Sequence, residues 1–417
     1  MNYGCIAEKL GHSFSKDIHN MLSDYNYELK ELSPDELVDF MKTKDFKAIN
    51  VTIPYKEAVI PYLDEISDTA KKIGAVNTIV NENGYLRGYN TDFSGMIALF
   101  DKNKISLKGK KVLILGSGGT SKTALAVCES MECSSVFRVS RDGKEDCITY
   151  TEAKEKHADC EIIINTTPVG MYPNIYRSPI EIKDYPNLCA VADAVYNPLC
   201  SKLVCDAKKL GIKAVGGLYM LVAQAAVACE KFINEKVDWT KVDKIYQKLL
   251  QDKTNIVLIG MPGSGKTTIG KLLAEDIGFE FIDTDDEIIK RENKSIPEIF
   301  SEVGEAGFRK IENEVIKSVA LKQGAVIATG GGAVLNSENT ELLCENGRIY
   351  FIDRPLECLT ATSDRPLSSN RTDLEKRYKE RYPIYCTSCD RHIEISDNPI
   401  ENMRIIKSDF NNDDTLL

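Results

Sequence analysis

The sequence predicts an α/β fold of parallel sheets covered by helices, and two observations carry that expectation. Short apolar runs rich in Val and Ile alternate with helix-period segments along the chain: 48–52 (AINVT), 111–115 (KVLIL), 161–165 (EIIIN), 255–259 (NIVLI) and 325–329 (AVIAT). Runs of this kind belong to strands buried between helical layers. Two of them lead at once into glycine-rich loops, at Gly116 and Gly260, each followed by a helix-like segment. The loops lie 144 residues apart, too far for one nucleotide-binding unit, so two units are expected. They differ in spacing and in the residues after them, which argues against internal duplication.

Composition narrows the class. At roughly 150 residues per domain, the 417 residues should fill two or three domains. With 43% hydrophobic and 28% charged residues the chain is neither a disordered polymer nor a membrane protein. Its longest apolar stretch, 220–229, is interrupted by Gln224 and is too short to span a bilayer. A net charge of −10 disfavours non-specific binding to nucleic acid or anionic membrane, so an anionic ligand must be held by local positive groups. The thirteen cysteines are odd in number and scattered, and the N-terminal segment lacks a signal-peptide pattern. Reduced thiols and a cytoplasmic location are expected. Cys386 and Cys389 have CxxC spacing, but no second pair completes a zinc site, so coincidence is the better reading. Between the two glycine loops, 238–253 carries Val242, Ile245, Tyr246 and Leu249 on one helical face and then turns polar, placing the domain boundary near 250–254.

In the C-terminal unit, 260–267 (GMPGSGKT) fits the phosphate-loop pattern between a strand and a helix. Gly263, Ser264 and Gly265 let backbone N–H groups wrap phosphates at the helix start, with Thr268 beside them. Lys266 bridges the outer phosphates and Thr267 holds Mg²⁺. The alternate carboxylates Asp283 and Asp285 end a probable strand, where spacing alone fits either metal and substrate contacts or helix capping. Further on stand Arg309, the three glycines Gly330, Gly331 and Gly332, then Arg365 and Arg381.

The order GMPGSGKTT, FIDTDDEI, SIPEIFSEVGEAGFRKIE, GGGAV, DRPL and RYPIY resembles shikimate kinase from Asn255 to about Ile395. The resemblance implies Lys266 and Thr267 on ATP and Mg²⁺, Asp283 on the metal side, and Asp285 on the reacting hydroxyl. It also implies Arg309 and Arg381 on the shikimate carboxylate, the Gly330–Gly332 backbone against the ring, and Arg365 in the lid, neutralising the moving phosphoryl group. Paired arginines suit a carboxylate in an acidic protein. The segment 356–364 departs from the family, lacking the arginine that stacks on adenine, and no adenine-contacting residue is assigned.

In the N-terminal unit, 116–124 (GSGGTSKTA) follows a strand, but Ser121 stands where a strict dinucleotide fingerprint has its third glycine. Past the next strand, Arg141 occupies the place of a ribose-binding acid, which suits a 2′-phosphate and hence NADP, with Lys144 assisting and Asp142 next door. Polar groups close strands at 11–15 (GHSFS), 50–56 (NVTIPYK), 74–78 (GAVNT) and 88–92 (GYNTD). Lys56 with Asp92 could form a proton-transferring pair. Gln224 inside an apolar helix should face a polar ligand or a partner. His12 and His19 share no helix face and suggest no metal site.

GHSFS, NVTIPYKEAV, GAVNT, YNTD, GSGGTSK, INTTPVGM, DAVYNP and GGLYMLVAQAA together resemble shikimate dehydrogenase over Met1 to about Asn234. The resemblance implies Ser13 and Ser15 on the substrate carboxylate and Lys56–Asp92 as the catalytic pair. Thr52, Asn77 and Gln224 would bond the ring hydroxyls, with Tyr196 nearby. Gly116, Gly118, Gly119 and Thr120 would carry the pyrophosphate, Arg141 the 2′-phosphate, and Gly217 and Met220 would flank the nicotinamide.

The two resemblances imply a two-lobed dehydrogenase with a Rossmann-like NADP lobe, followed by a P-loop kinase domain with a central parallel sheet. The expected division is 1–98 plus 219–250 for the substrate lobe, 99–218 for the NADP lobe, a linker at 251–254 and the kinase at 255–417. NADPH-dependent reduction of 3-dehydroshikimate to shikimate, followed by Mg²⁺- and ATP-dependent phosphorylation, is the expected activity. The alternative is an NAD-dependent quinate or shikimate dehydrogenase fused to a catalytically weak shikimate-binding or regulatory domain. Small molecules, not nucleic acid or membrane, are the expected partners, and the sequence leaves monomer and homodimer open.

Overall fold

The computed structural model describes residues 1–11, 13–144, 146–359 and 371–412. The chain divides into two compact units, one of 1–171, 177–197 and 206–248, the other of 172–176, 198–205 and 249 onward. Arg365, expected in the kinase lid, and His12 lie outside the described residues.

Two sheets make up the first unit. The first contains β1 (Tyr3–Ala7), β2 (Tyr27–Glu31), β3 (Ala48–Val51), β4 (Glu65–Ile66), β5 (Thr78–Glu82) and β6 (Tyr85–Tyr89), in the order β2-β1-β3-β5-β6-β4. β1 pairs parallel with β2 and β3, but β5 runs antiparallel to both β3 and β6. The sheet is therefore mixed where a parallel one was expected. Its cause is local: β5 and β6 are joined by Asn83 and Gly84, at φ of 56° and 91°, and a two-residue Asn-Gly turn returns the chain antiparallel.

The second sheet holds β7 (Lys111–Leu115), β8 (Ser135–Ser140), β9 (Cys147–Thr149), β10 (Ile162–Asn165), β11 (Ala190–Asp193) and β12 (Lys213–Val215). It is parallel throughout, in the order β12-β11-β10-β7-β8-β9. The chain reverses its direction of winding between β7 and β10, the place where doubly wound sheets open a crevice at their carboxyl ends. The glycine loop beginning at Gly116 leaves β7 at that point.

The second unit is built on β13 (Asn255–Ile259), β14 (Glu280–Asp283), β15 (Ala325–Ala328), β16 (Gly347–Asp353) and β17 (Arg391–Glu394), all parallel, ordered β14-β15-β13-β16-β17. β13 and β16 are buried along their whole length, as their continuous apolar runs require.

Of residues 251–254, expected to link the two halves, 251–253 form the last turn of the helix Trp239–Lys253. Thr254 closes it, donating from both N and Oγ1 to the Leu250 carbonyl (3.0 and 2.6 Å), and β13 starts at the next residue. Two segments from within the expected NADP lobe, 172–176 and 198–205, belong to the second unit. Ile175 packs with Ala320 and Leu342, and the backbone N–H groups of Leu199 and Cys200 donate to Asn346 Oδ1 and the Glu345 carbonyl (3.0 and 2.9 Å).

Candidate active sites

In the first unit, Asp92 stands in the first turn of the helix Thr91–Lys102, whose start is fixed by Asn90: its Oδ1 accepts from Phe93 N, and its Nδ2 donates to the Ala75 carbonyl. Lys56, five residues beyond β3, places its Nζ 2.6 Å from Asp92 Oδ2. The side chains are 13% and 10% exposed, so little water screens the pair. A lysine ammonium held in this way is a positioned proton donor for an oxygen brought into the same pocket.

A network of neutral groups leads away from the pair. Thr91 N donates to Asn77 Oδ1 (2.7 Å), and Asn77 Nδ2 donates to Thr91 Oγ1 (3.0 Å) and Gln224 Oε1 (3.4 Å). Gln224, buried within the helix Leu218–Ile233, also accepts from Thr91 Oγ1 and donates to its own helix at Leu221 O. Behind Asn77, Asn50 Nδ2 donates to Asn77 O and Thr78 Oγ1, and Tyr27 OH donates to Asn50 Oδ1. The structure thus joins Asn77 to Gln224 and adds Thr91 and Asn50, which sequence reasoning did not single out. Thr91 had a visible signal, its place beside Asp92 at a helix start; Asn50 had only its position inside NVTIPYK.

Ser13 and Ser15 sit at the start of the helix Ser15–Leu22, where Ser15 N donates to Ser13 Oγ. Tyr196 packs on the intervening Phe14 with ring centroids 5.3 Å apart, and burial pushes its phenol up to about 12. Thr52 follows β3, half-buried, its N–H donating to Ile6 O. His19 is a buried core histidine: its ring is stacked 4.0 Å from Tyr27, its Nδ1 is 2.6 Å from Tyr25 OH, and burial lowers its pKa to about 3.

The glycine loop has the shape of a phosphate cradle. Gly116 lies at φ 118°, and a β-carbon there would stand 2.6 Å from Thr166 Oγ1. The following helix, Gly119–Ser130, with Thr120 in its first turn, has Gly118 at its N-cap and thus no capping side chain. Gly217 takes the same place at the head of Leu218–Ile233, where Met220 is buried one turn before Gln224. Arg141 is exposed just past β8, beside the loop, since Gly116 N donates to Val139 O. Lys144 is drawn instead to Asp142 (3.3 Å), whose carboxyl it holds below the usual range.

In the second unit the phosphate loop leaves β13 through Gly260, Gly263 and Gly265, at φ of 146°, 83° and 93°. Gly265 is the uncapped start of the helix Lys266–Ile277. Lys266, buried, donates to the carbonyls of Gly260 and Met261 (both 2.9 Å), and Ser264 Oγ is buried without a hydrogen-bond partner among the described residues. An orphaned hydroxyl and a folded-back lysine in a glycine-lined loop fit a polyphosphate. Thr267 Oγ1 donates to Asp283 Oδ2 (2.8 Å), so the two oxygens expected on Mg²⁺ are adjacent, with Thr268 exposed next to them. Asp283 Oδ1 also accepts from Asp285 N (3.0 Å), capping the helix Thr284–Glu292, so the capping alternative is realised while Oδ2 faces Thr267.

Asp285, Arg309 and Arg381 converge on the turn at Gly330–Gly332. A β-carbon on Gly330 would lie 2.6 Å from Asp285 Oδ1 and 3.1 Å from Glu312 Oε1, and one on Gly332 would collide with the Arg309 guanidinium. Arg381, buried, donates to Gly331 O (2.9 Å), and Tyr385 OH donates to the same carbonyl. Glu312 completes the set. It accepts from Arg309 Nη1 at 2.7 Å, is 1% exposed, and its other oxygen has no hydrogen-bond partner among the described residues. Burial raises its pKa, against the pull of Arg309. The helical i, i+3 spacing in FRKIE was the signal for Glu312. Among the described residues no three His, Cys, Asp or Glu side chains are grouped as metal ligands, and Cys386 and Cys389 are free thiols.

Comparison with known proteins names the two halves. Residues 5–79 match the family model for the shikimate dehydrogenase substrate binding domain. Over 265 residues the chain is 38% identical to shikimate dehydrogenase (NADP(+)) of Clostridium perfringens, covering 59% of this chain and 97% of that protein. The chain belongs to the shikimate dehydrogenase family. Shikimate dehydrogenase 1 from Peptoclostridium difficile superposes with a TM-score of 0.56 at 37% identity, over 60% of this chain and 98% of that one. The shikimate 5-dehydrogenase of Thermus thermophilus, solved with NADP(H) and shikimate, gives 0.55 at 27%, over 60% and 99%. Beyond the dehydrogenase, residues 262–409 match the shikimate kinase family model, so one chain joins two domains of the shikimate pathway.

Proposed function

We propose that this chain reduces 3-dehydroshikimate to shikimate with NADPH and then transfers the γ-phosphoryl group of ATP, with Mg²⁺, to the shikimate 3-hydroxyl. The observation that carries the reading is that both sets of reacting groups are assembled in one chain: Lys56 on Asp92, and Lys266, Thr267 and Asp283 around a phosphate loop. NADPH supplies the hydride to the carbonyl carbon. Lys56 protonates the oxygen as it gains negative charge, and Asp92 holds the ammonium in place. Asn77, Thr91 and Gln224, tied to one another, fix the ring hydroxyls, while Ser13 and Ser15 hold the carboxylate. Gly118–Thr120 and Arg141 would hold the cofactor's phosphates; Lys144, paired with Asp142, contributes less.

In the second reaction ATP and Mg²⁺ supply the phosphoryl group and its counter-charge. Asp285 orients the hydroxyl, Lys266 leaves its carbonyl partners for the phosphates, and Arg309 and Arg381 grip the carboxylate. Glu312 aims Arg309. Within the first unit, 1–98 with 219–248 would serve as the substrate lobe and 99–218, less the segments 172–176 and 198–205 that belong to the second unit, as the NADP lobe.

The test is one reaction mixture of purified protein, 3-dehydroshikimate, NADPH, ATP and Mg²⁺. NADPH absorbance should fall and shikimate 3-phosphate should appear by mass. Shikimate accumulating unphosphorylated would overturn the kinase half of the reading, and faster turnover with NADH and quinate would overturn the dehydrogenase half.

A further inference from the structure

Three thiols in the second unit meet at a place that neither reaction uses. Cys205, in the helix Lys202–Lys209, has its Sγ 2.9 Å from Cys200 Sγ and 3.9 Å from Cys344 Sγ. Cys200 and Cys205 are buried, while Cys344, near the end of the helix Ser337–Asn346, is half-buried. The fit is held by backbone bonds around it: Cys200 N to Glu345 O, Leu199 N to Asn346 Oδ1, and Cys205 N to Ser201 O. Ordinary sulfur–sulfur bonding distance is about 2.05 Å, so Cys200 and Cys205 need to close by less than an ångström.

We propose that Cys200, Cys205 and Cys344 form a redox-active thiol site centred on Cys205, with hydroperoxides as the oxidant. Cys344, the most accessible of the three, attacks the terminal peroxide oxygen: a sulfur–oxygen bond forms, the oxygen–oxygen bond breaks, and the leaving oxygen takes the thiol proton and departs as water from hydrogen peroxide or as an alcohol from an organic hydroperoxide. Cys205 then attacks the resulting sulfenic sulfur, forming a disulfide and releasing water. Attack by Cys200 on the Cys205 sulfur moves the disulfide inward and returns Cys344 as a thiol. In sum, two thiols lose two electrons and two protons, and the hydroperoxide is reduced to one water and an alcohol, or to two waters where it is hydrogen peroxide. This mechanism is independent of the functional reading above.

The test uses the full-length protein, reduced and then exposed to hydrogen peroxide under native conditions, quenched with iodoacetamide and mapped by mass spectrometry. The alkylated thiol count should fall from thirteen to eleven. Trypsin cuts at Lys202, so a Cys200–Cys205 bond leaves two joined peptides. Cys205→Ser should form no disulfide among these residues and leave Cys344 at the sulfenic acid, trapped by dimedone, and Cys344→Ser should slow formation of the bond. The proposal fails if all thirteen thiols stay alkylatable, if Cys344→Ser oxidises at the parent rate, or if the bond forms elsewhere. One such place is Cys128 with Cys133, whose thiols also touch.

Discussion

In the first unit, the groups assigned to substrate are mainly neutral amides and hydroxyls that hold one another, with Lys56–Asp92 as the ion pair among them. In the second, the corresponding groups are charged: Lys266 and Arg381 rest on backbone carbonyls, and Arg309 rests on Glu312. A carbonyl reduction asks for one proton at a fixed point, so a rigid neutral frame around one pair suffices. Phosphoryl transfer moves several charges, so its cations must exchange a protein partner for the ligand. The first site is built to stay still and the second to swap partners.

That contrast can be broken most sharply at its two lysines. Lys266→Ala should lower phosphorylation about a thousandfold or more and leave NADPH oxidation unchanged. Lys56→Ala should lower reduction about a hundredfold to ten-thousandfold with phosphorylation of added shikimate intact. Steady-state assays of both reactions on each variant decide it, and loss of both activities from one substitution would defeat the separation. Gly330→Ala comes next. Its β-carbon meets the Asp285 and Glu312 oxygens, so kinase kcat/KM should drop about a hundredfold, the scale of a small misplacement of a reacting group.

Gln224→Ala tests the rigid frame. It strips an acceptor from Thr91 and Asn77, and about a tenfold loss in dehydrogenase kcat/KM is expected, the value of one buried hydrogen-bond partner. The smallest effect concerns Glu312, whose raised pKa means the folded state holds its proton more tightly than the unfolded chain. Stability from this group is full below the ordinary 4.5 and is lost as pH rises through the folded value. The melting temperature of Glu312→Gln, relative to the parent, should therefore rise with pH, and a constant difference would sink the idea.

The strands and both glycine loops were legible because each is written in a contiguous run. So were Lys56 and Asp92, through the motifs that hold them. What escaped depends on partners distant in sequence. Asn50 matters because Tyr27 and Thr78 reach it, and the second unit's claim on 198–205 depends on Asn346 and Glu345, some 145 residues on. The antiparallel turn at Asn83-Gly84 was written locally and is a reading that turn chemistry could have supplied.

Glycine at the N-caps of Gly119–Ser130, Leu218–Ile233 and Lys266–Ile277 has a thermodynamic consequence. Ser33, Ser67, Asn90, Thr149, Asp283 and Asn336 each cap their own helix with a side chain, whereas these three starts have none to offer. Glycine in place of a capping side chain costs only about a few tenths of a kcal/mol, so the folded protein gives up little at these starts while leaving their N–H groups open to a ligand. Heat resistance should then track ligand supply: a nucleotide at a hundred times its Kd adds about 2.7 kcal/mol. In a starved cell, the same chain would be the more easily unfolded one.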